Sequence, residues 1–318
     1  MMRFLILGAG GLGGYFGGRL AQAGQDVSFL VRERRARQLA RDGLKIVSPF
    51  HGDMALASPN CLSREQLAEL TSPASHFDVV ILGCKAYDLD DAMEAIAPAV
   101  GAHTTIVPLL NGIAHLERIA ARFGRQKLLG AYCMISAAMD RHGQIQHYND
   151  MHKLAFGELD GQPSARVDAL TAAFSEARCE GVASTRIVAE MWQKWMLIAS
   201  AASITCLMRA PLGVVMRAGG SQFASGILDE CLAIAGQNGF HLPHDAVAYL
   251  RGILLDADSP VTASMYKDME AGTQIEAEHL IGDLLQRRKE SRGDSALLDM
   301  AWLHFNTYQI RRSSQAKA

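Results

Sequence analysis

A doubly wound α/β domain followed by an all-helical one is the architecture that the sequence predicts, and three observations predict it. Apolar runs without alternation recur through the first half, as Phe4–Leu7, Asp26–Val31, Phe77–Gly83 and Thr104–Leu110. Such runs suit strands buried on both faces of a parallel sheet. The first run leads directly into Gly8-Ala9-Gly10-Gly11-Leu12-Gly13. Beyond about Thr185 the strand-like runs stop and long helical segments take over. The expected domains are therefore 1–184 and 185–318.

Bulk composition narrows the function classes. At 318 residues the chain is long for one core, so two domains are the natural prior. Hydrophobic residues make up 49% and charged residues 20%, as in ordinary globular proteins. A formal charge of −2 offers no basic surface for nucleic acid or an anionic membrane. Cys61, Cys84, Cys133, Cys179, Cys206 and Cys231 form no C-x-x-C pair. That spacing points to reduced thiols and a cytoplasmic location, with neither a disulfide framework nor a zinc site. The uncharged helical stretch Trp195–Met208 falls short of the ~20 residues of a membrane span. The N-terminal apolar run reads as a first strand and not as a signal peptide. The histidines lack the ligand spacing of a metal site.

In chain order, the glycines come first. Gly8 permits the tight strand-to-helix turn, Gly10 lets a pyrophosphate approach the backbone, and Gly13 lets the helix pack close to the strand. Leu12 is counted with them as a cofactor-side residue. The helix that follows turns its free N–H groups and positive dipole end toward the phosphates. A plain glycine-rich turn is the alternative, and the strand before and helix after favour a Rossmann-type dinucleotide site. The second strand, Asp26–Val31, ends at Arg32. An acidic residue there would take the ribose hydroxyls of NAD, whereas an arginine accommodates the 2′-phosphate of NADP. Arg34, Arg35 and Arg37 add to the positive field in this reading, Glu33 opposes it, and Arg37 and Arg41 read equally as a solvated helix face.

Gly43–Val47 reads as a short strand and Ser48–Thr71 as irregular with some helical character. Lys85 and Asn111 each lie just beyond a parallel strand, where open α/β sheets bind ligands. A helix is expected over Leu89–Ile96, with further strands at Leu128–Ile135, Gln144–Tyr148 and Lys153–Gly157, then a helix over Ser164–Arg178. In the second domain the expected helices are Ala189–Met208, Ser221–Asn238, His244–Leu255, Glu270–Arg288 and Ala296–Arg311, before a polar tail, Ser313–Ala318.

Gly8-Ala9-Gly10-Gly11-Leu12-Gly13, Cys84-Lys85-Ala86, Leu110-Asn111-Gly112, Trp192-Gln193-Lys194 and Ser264-Met265 through Asp268 to Ile275-Glu276 occur in this order. On these motifs the chain resembles the 2-dehydropantoate 2-reductase (ketopantoate reductase) family over roughly residues 3 to 285. The resemblance implies an NADPH-binding Rossmann domain, a helical catalytic domain, and reduction of 2-dehydropantoate to pantoate on the route to pantothenate. It implies that Lys194 is the general acid and Glu276 the substrate-binding acid that assists it. Ser264 would bind the substrate carboxylate, Asn111 would lie near nicotinamide and substrate, and Lys85 would contact the cofactor ribose or phosphate. Hydride arriving at a carbonyl leaves an alkoxide, which needs a proton and a positive charge beside it. A lysine ammonium with a reference pKa of ~10.4 can supply both.

One departure stands out. Four and eight residues after its catalytic lysine the family commonly has asparagines, and here those positions are Ile198 and Ala202. Ile198 shares the helix face of Lys194 but cannot donate a hydrogen bond. Thr205 returns to that face and is expected to supply a substrate contact. The expected partner is thus a small 2-oxo acid, with 2-dehydropantoate as the first choice and a more apolar acid as the alternative. An opine-type dehydrogenase and a non-catalytic NADPH-binding sensor are the competing readings. A homodimer stays open as the assembly.

Overall fold

A computed structural model describes residues 1–70, 76–289 and 296–315. The chain divides into two compact units, Met1–Val188 and Ala189–Ala318. The first unit runs β1 (Arg3–Leu7), α1 (Gly11–Gln22), β2 (Asp26–Leu30), α2 (Glu33–Asp42), β3 (Leu44–Val47), β4 (Met54–Leu56) and β5 (Asn60–Leu62). It continues through α3 (Arg64–Ala68), β6 (Val79–Leu82), α4 (Leu89–Ile96), β7 (Thr105–Pro108) and α5 (Ala114–Phe123). Last come β8 (Gly130–Met139), β9 (Ile145–Gly157), α6 (Ala165–Ser175) and β10 (Glu180–Ala183).

One sheet has the order β5-β2-β1-β6-β7, and every neighbouring pair in it is parallel. Its strands carry apolar residues on both faces because both faces are covered. Phe4, Ile6, Phe29, Val79 and Ile81 join a core shared with α1 and with β8 and β9. Leu5, Leu30, Val80 and Leu82 join a second core with Leu67 of α3, Leu89 and Met93 of α4 and Ile119 of α5.

The later strands form a second sheet, with β9 paired antiparallel to β8 and parallel to β3 and β10. The two strands expected over Gln144–Tyr148 and Lys153–Gly157 are one continuous strand, β9. The polar residues between them do not break it, because they are used. The register shifts between Ile135 and Ala137 of β8, and at this bulge Asn149 Oδ1 accepts from the Ser136 N–H at 2.9 Å. The expected irregular stretch from Ser48 to Thr71 contains β4, β5 and α3, with Thr71 outside the described residues. Ser63 and Gln66 close a reciprocal capping box on α3, a signature readable as S-x-x-Q.

Helix α1 lies between the two sheets, and at five of its glycines there is no room for a side chain. A Cβ on Gly13 would stand 2.2 Å from the carbonyl oxygen of Gly8, and one on Gly17 would meet Phe29 and Ile6 of the parallel sheet. On the other side, Cβ atoms on Gly11, Gly14 and Gly18 would meet the Ala137 carbonyl, Ile145 and Met54. The glycines at i, i+3 and i+7 serve one sheet and those at i and i+4 the other, as helical spacing requires.

In the second unit no described residue is in a strand. Its helices are α7 (Ile187–Met208), α8 (Leu212–Arg217), α9 (Ser221–Gln237), α10 (His244–Leu254), α11 (Ser264–Glu270), a π-turn over Glu278–Gly282, α12 (Asp283–Gln286) and α13 (Ala296–Gln315). The single helix expected over Glu270–Arg288 is a correction: α11 stops at Glu270 and residues 271–276 are not helical. Gly272 takes φ +69°, while Thr273 N–H bonds the Asp268 carbonyl and Gly272 N–H that of Met269. That is the paired closure of a helix ended by a left-handed glycine. The first residues of the expected polar tail belong to α13, and residues 316–318 lie outside the described part. No described helix is long and apolar enough to cross a membrane.

Three imidazoles are stacked where the β3–β4 turn meets β9. The rings of His51 and His152 lie 3.5 Å apart and those of His51 and His147 5.7 Å apart. Ser48 Oγ bonds His147 Nδ1 at 2.9 Å, and Tyr15 OH bonds His152 Nδ1 at 3.1 Å. Among the described residues no group of three His, Cys, Asp or Glu side chains could hold a metal ion. Burial, then the charges of His51, His147 and the buried Arg19, with Asp150 opposing them, push His152 down to about 4. Burial also lowers His147. A histidine kept neutral in the fold but protonatable near pH 6.5 when unfolded leaves stability intact above that pH and erodes it as pH falls toward 4. We expect the urea midpoint to drop between pH 6.5 and 4.5 with uptake of about one extra proton on unfolding, and His152→Gln to flatten that slope. Equal slopes in the two proteins would exclude His152 as the source.

Candidate active site

The cofactor half is built on the carboxyl ends of four adjacent parallel strands. In the order β2, β1, β6, β7 these ends lead to Arg32, to the glycine turn, to Lys85 and to Asn111. Leu30, Leu7, Leu82 and Pro108 are paired in register across the sheet, so the four turns leave it at one level. This is the edge at which open α/β sheets take ligands.

Gly8 stands at φ +88°, a left-handed conformation that a side chain would strain. Its N–H donates to the Leu30 carbonyl at 2.9 Å, which ties the turn to the neighbouring strand. Gly10 caps α1 with no side-chain hydrogen bond, and no acidic residue occupies the first helical turn. The first N–H groups of a helix have no partner within it, so this end is prepared for an external anion. A Cβ on Gly10 would meet no protein atom within 4 Å. That open side fits a pyrophosphate seated against the backbone. Leu12 is half-buried and packs against the core beneath.

Arg32 is the residue before α2, and its side chain is 81% exposed, with Asp88 at 3.7 Å and Asp91 at 4.0 Å. The rest of the arginine run does not form one field. Arg37 pairs with Glu33 a turn away, Arg41 with Asp42, and Arg35 turns inward. Lys85 precedes a single 3-10 turn, Ala86–Asp88, and the Asp88 N–H closes on its carbonyl at 3.0 Å. Asn111 begins the bend that carries Gly112 at φ +71° into α5. Gly83 was not singled out from the sequence, yet a Cβ there would stand 3.1 Å from both Gly13 Cα and the Leu7 carbonyl oxygen. It lets β6 end against the start of α1, and its only signal is its place at the end of an apolar run.

In the helical unit, Lys194 and Ile198 lie on a half-buried face of α7. Trp195 is fully buried and its Nε1 donates to the Leu280 carbonyl at 2.9 Å, holding the π-turn at the level of Lys194. Glu276 precedes that turn, and its carbonyl accepts from Leu280 N–H at 3.0 Å. The approach to Glu276 is held from α13: Tyr308 OH donates to the Thr273 carbonyl at 2.7 Å and Gln309 Nε2 to the Ile275 carbonyl at 3.3 Å. Glu276 thus adjoins a turn that is tied to α7 at the residue after Lys194. Ser264 is exposed at the start of α11, and its neighbour Ala263 donates to Thr205 Oγ1 at 3.4 Å. Thr205 lies three helical turns beyond Lys194, so Ser264 stands near the far end of that helix.

Thr205 does not offer the expected substrate contact. It is fully buried, its hydroxyl donates to the Ala201 carbonyl at 2.7 Å and accepts from Ala263 N–H. A helical threonine can satisfy itself on the preceding turn, and helical phase alone does not reveal that choice. Ala202 is fully buried too, as are Ser200 and Ser203.

Comparison with known proteins agrees with these two halves. The family described as ketopantoate reductase PanE/ApbA matches residues 4–161, and its C-terminal counterpart matches residues 186–309. An uncharacterized oxidoreductase, YkpB, of Bacillus subtilis is 34% identical over 98% of this chain and 100% of its own length. The crystal structure of 2-dehydropantoate 2-reductase from Methylococcus capsulatus superposes with a TM-score of 0.85 at 26% identity, covering 98% of each chain. A D-mandelate dehydrogenase solved with NADH and anilino(oxo)acetate has the same fold, with a TM-score of 0.84 at 18% identity over 98% of this chain and 99% of its own. The chain belongs to the ketopantoate reductase family and is a nicotinamide-dependent oxidoreductase.

Tyr308 tests the support of the Glu276 segment. Tyr308→Phe leaves the Thr273 carbonyl without that donor, and we expect unfolding free energy to fall by about 1 kcal/mol. Amide exchange should quicken across residues 273–277 more than elsewhere in α13 or α7. Unchanged exchange there would mean that Gln309 holds the segment alone.

Proposed function

We propose that this family member uses NADPH to reduce a small, branched, apolar 2-oxo acid to the corresponding 2-hydroxy acid, and accepts 2-dehydropantoate no better. The observation that carries the reading is the side of α7 next to Lys194. One turn on stands Ile198, and the hydroxyls that could have replaced a lost asparagine amide, those of Thr205, Ser200 and Ser203, are all buried. A substrate hydroxyl facing Ile198 would go unpaired, at a cost of about 1–3 kcal/mol. The same fold serves a D-mandelate dehydrogenase, so the fold leaves the substrate side chain open. A place in pantothenate synthesis would follow only if 2-dehydropantoate proved the preferred substrate.

In this reading bound NADPH would supply the hydride for the ketone carbon. The ammonium of Lys194 donates its proton to the oxygen that becomes negative, so the product is the neutral alcohol. The same charge stabilises that oxygen while it forms. Glu276 orients the lysine and accepts from the hydroxyl that forms on the reduced carbon. The Asn111 amide holds the ketone side; Ser264, which stands by Thr205 about three turns along α7 from Lys194, has no contact with the carboxylate beside that ketone. The glycine turn and Lys85 hold the cofactor, with Arg32 on its 2′-phosphate. The exposed Arg32 guanidinium supports that last role, and its ion pairs with Asp88 and Asp91 would have to yield to the phosphate.

Cofactor choice is tested first. Arg32→Ala should weaken NADPH binding about ten- to a hundredfold, the worth of a charge-assisted contact, and NADH binding much less. Equal losses would remove Arg32 from the 2′-phosphate.

Substrate and acid are tested together by NADPH oxidation over 2-oxo acids varied at C3 and C4. Branched apolar acids should match or exceed 2-dehydropantoate in kcat/KM. Ile198→Asn should shift the ratio toward 2-dehydropantoate by about five- to a hundredfold. Lys194→Ala should lower turnover by about two to four orders of magnitude on every substrate. A several-hundredfold preference of the unmodified enzyme for 2-dehydropantoate would overturn the apolar assignment, and near-normal turnover without Lys194 would overturn the acid.

A further inference from the structure

Arg35, in the first turn of α2, points away from solvent into the back of the glycine turn. Its Nε and Nη2 both donate to the Ala9 carbonyl, at 3.2 and 2.9 Å. Its Nη1 donates to Gln38 Oε1 at 2.8 Å and to the Gly143 carbonyl at 3.0 Å. Gln38 Nε2 in turn donates to the His142 carbonyl at 3.0 Å. One side chain therefore joins three segments: the glycine turn, α2 and the turn between β8 and β9. Arg32 and Arg37, from the same run, have no such backbone partners and face solvent.

We propose that Arg35 is the positioning residue of the phosphate-binding turn: by holding the Ala9 carbonyl toward α2, it holds the Gly10 N–H toward the cofactor phosphates. The Ala9–Gly10 peptide is trans, and in a trans unit C=O and N–H point in opposite directions. Neither group can turn without the other. Gly10 has open space on its ligand side and, as a glycine, resists rotation of that peptide least. A flip would aim the carbonyl dipole at the phosphates and remove a donor, replacing attraction with repulsion. Two charge-assisted bonds to one carbonyl oppose the flip.

The guanidinium is itself fixed by the hairpin turn. Gly143 has φ +80°, and a Cβ there would fall 2.1 Å from Gln38 Nε2 and 2.7 Å from Arg35 Nη1. The β8–β9 turn thereby takes part in cofactor binding without touching the cofactor. Arg35 acts through the backbone, so it serves both nicotinamide cofactors alike, whereas Arg32 concerns the 2′-phosphate alone. The inference rests on cofactor binding at the glycine turn.

Calorimetric titration of Arg35→Ala, Arg35→Lys and Gly143→Ala with NADPH and with NADH tests it. We expect Arg35→Ala to weaken both cofactors by about ten- to thirtyfold, the loss of charge-assisted bonds, with the NADPH to NADH ratio unchanged. Arg35→Lys should recover part of the loss. Gly143→Ala, which keeps the arginine and displaces it, should weaken both cofactors again. In steady state the effect should fall on the KM for cofactor more than on kcat. Unchanged affinity for both cofactors in any folded Arg35 variant would overturn the proposal, and so would a loss confined to NADPH, which would put Arg35 on the 2′-phosphate itself. Where Arg35→Ala does not fold, Arg35→Lys and Gly143→Ala decide by the same criteria. An unmodified protein that bound neither cofactor would instead overturn the placement of the cofactor site.

Discussion

The first unit depends on the absence of clearance around α1. Between this helix and the parallel sheet there is no space for a Cβ at Gly13 or Gly17, and between it and the second sheet none at Gly11, Gly14 or Gly18. Close packing of this kind fixes position sharply, since interiors accommodate even one added methylene poorly. The helix cannot tilt or slide without collision on one side or the other. Its N-terminus is consequently held at the level where four strands end. The donor groups of the glycine turn owe their aim to packing on both faces of a helix whose glycines set the distance to each sheet.

The same constraint explains why the phosphate turn needs help from outside. A glycine-rich turn can approach a ligand closely, but it pays with conformational freedom at the position that matters most. Gly8 is restrained by the Leu30 carbonyl and Gly13 by contact. Gly10 has neither restraint. Arg35 supplies it through the neighbouring carbonyl, and the second sheet supplies the anchor through Gly143. The added sheet is thus part of the binding apparatus as well as a cover for α1.

Much of this was legible in the residues. Each strand of the parallel sheet from β1 to β7 shows as a short apolar run, except β5, whose three residues are too few to carry a pattern. The alternation of Lys85 and Asn111 with strand ends follows from strand position alone. The break at Gly272 was missed because the apolar spacing on either side of it continues in helical phase, although Ala271-Gly272-Thr273 is an ordinary helix stop. Thr205 was misread for a different reason. Phase places a residue on a face, but the hydroxyl chose its own helix and the Ala263 N–H over a ligand. The four arginines after β2 look alike in sequence, and only burial and backbone partners separate Arg35 from Arg32 and Arg37.

The helical unit meets the opposite problem. Its catalytic candidates come from segments that are far apart in the chain and have little regular structure around Glu276. Residues 271–276 belong to no helix, so their backbone groups need partners of other kinds. Besides backbone bonds at Gly272, Thr273 and Glu276, they find them in single side chains: Tyr308 at Thr273, Gln309 at Ile275 and, beyond Glu276, Trp195 at Leu280. Two of the three come from the last helix, which contains none of the residues expected to touch substrate. A carboxylate on a non-helical segment is aimed only as well as these bonds hold it, whereas Lys194 inherits its position from a helix of 22 residues. The two partners of the proposed acid–base pair therefore differ in how firmly they are held. Loss of positioning should appear first at Glu276, through α13, and only later at Lys194.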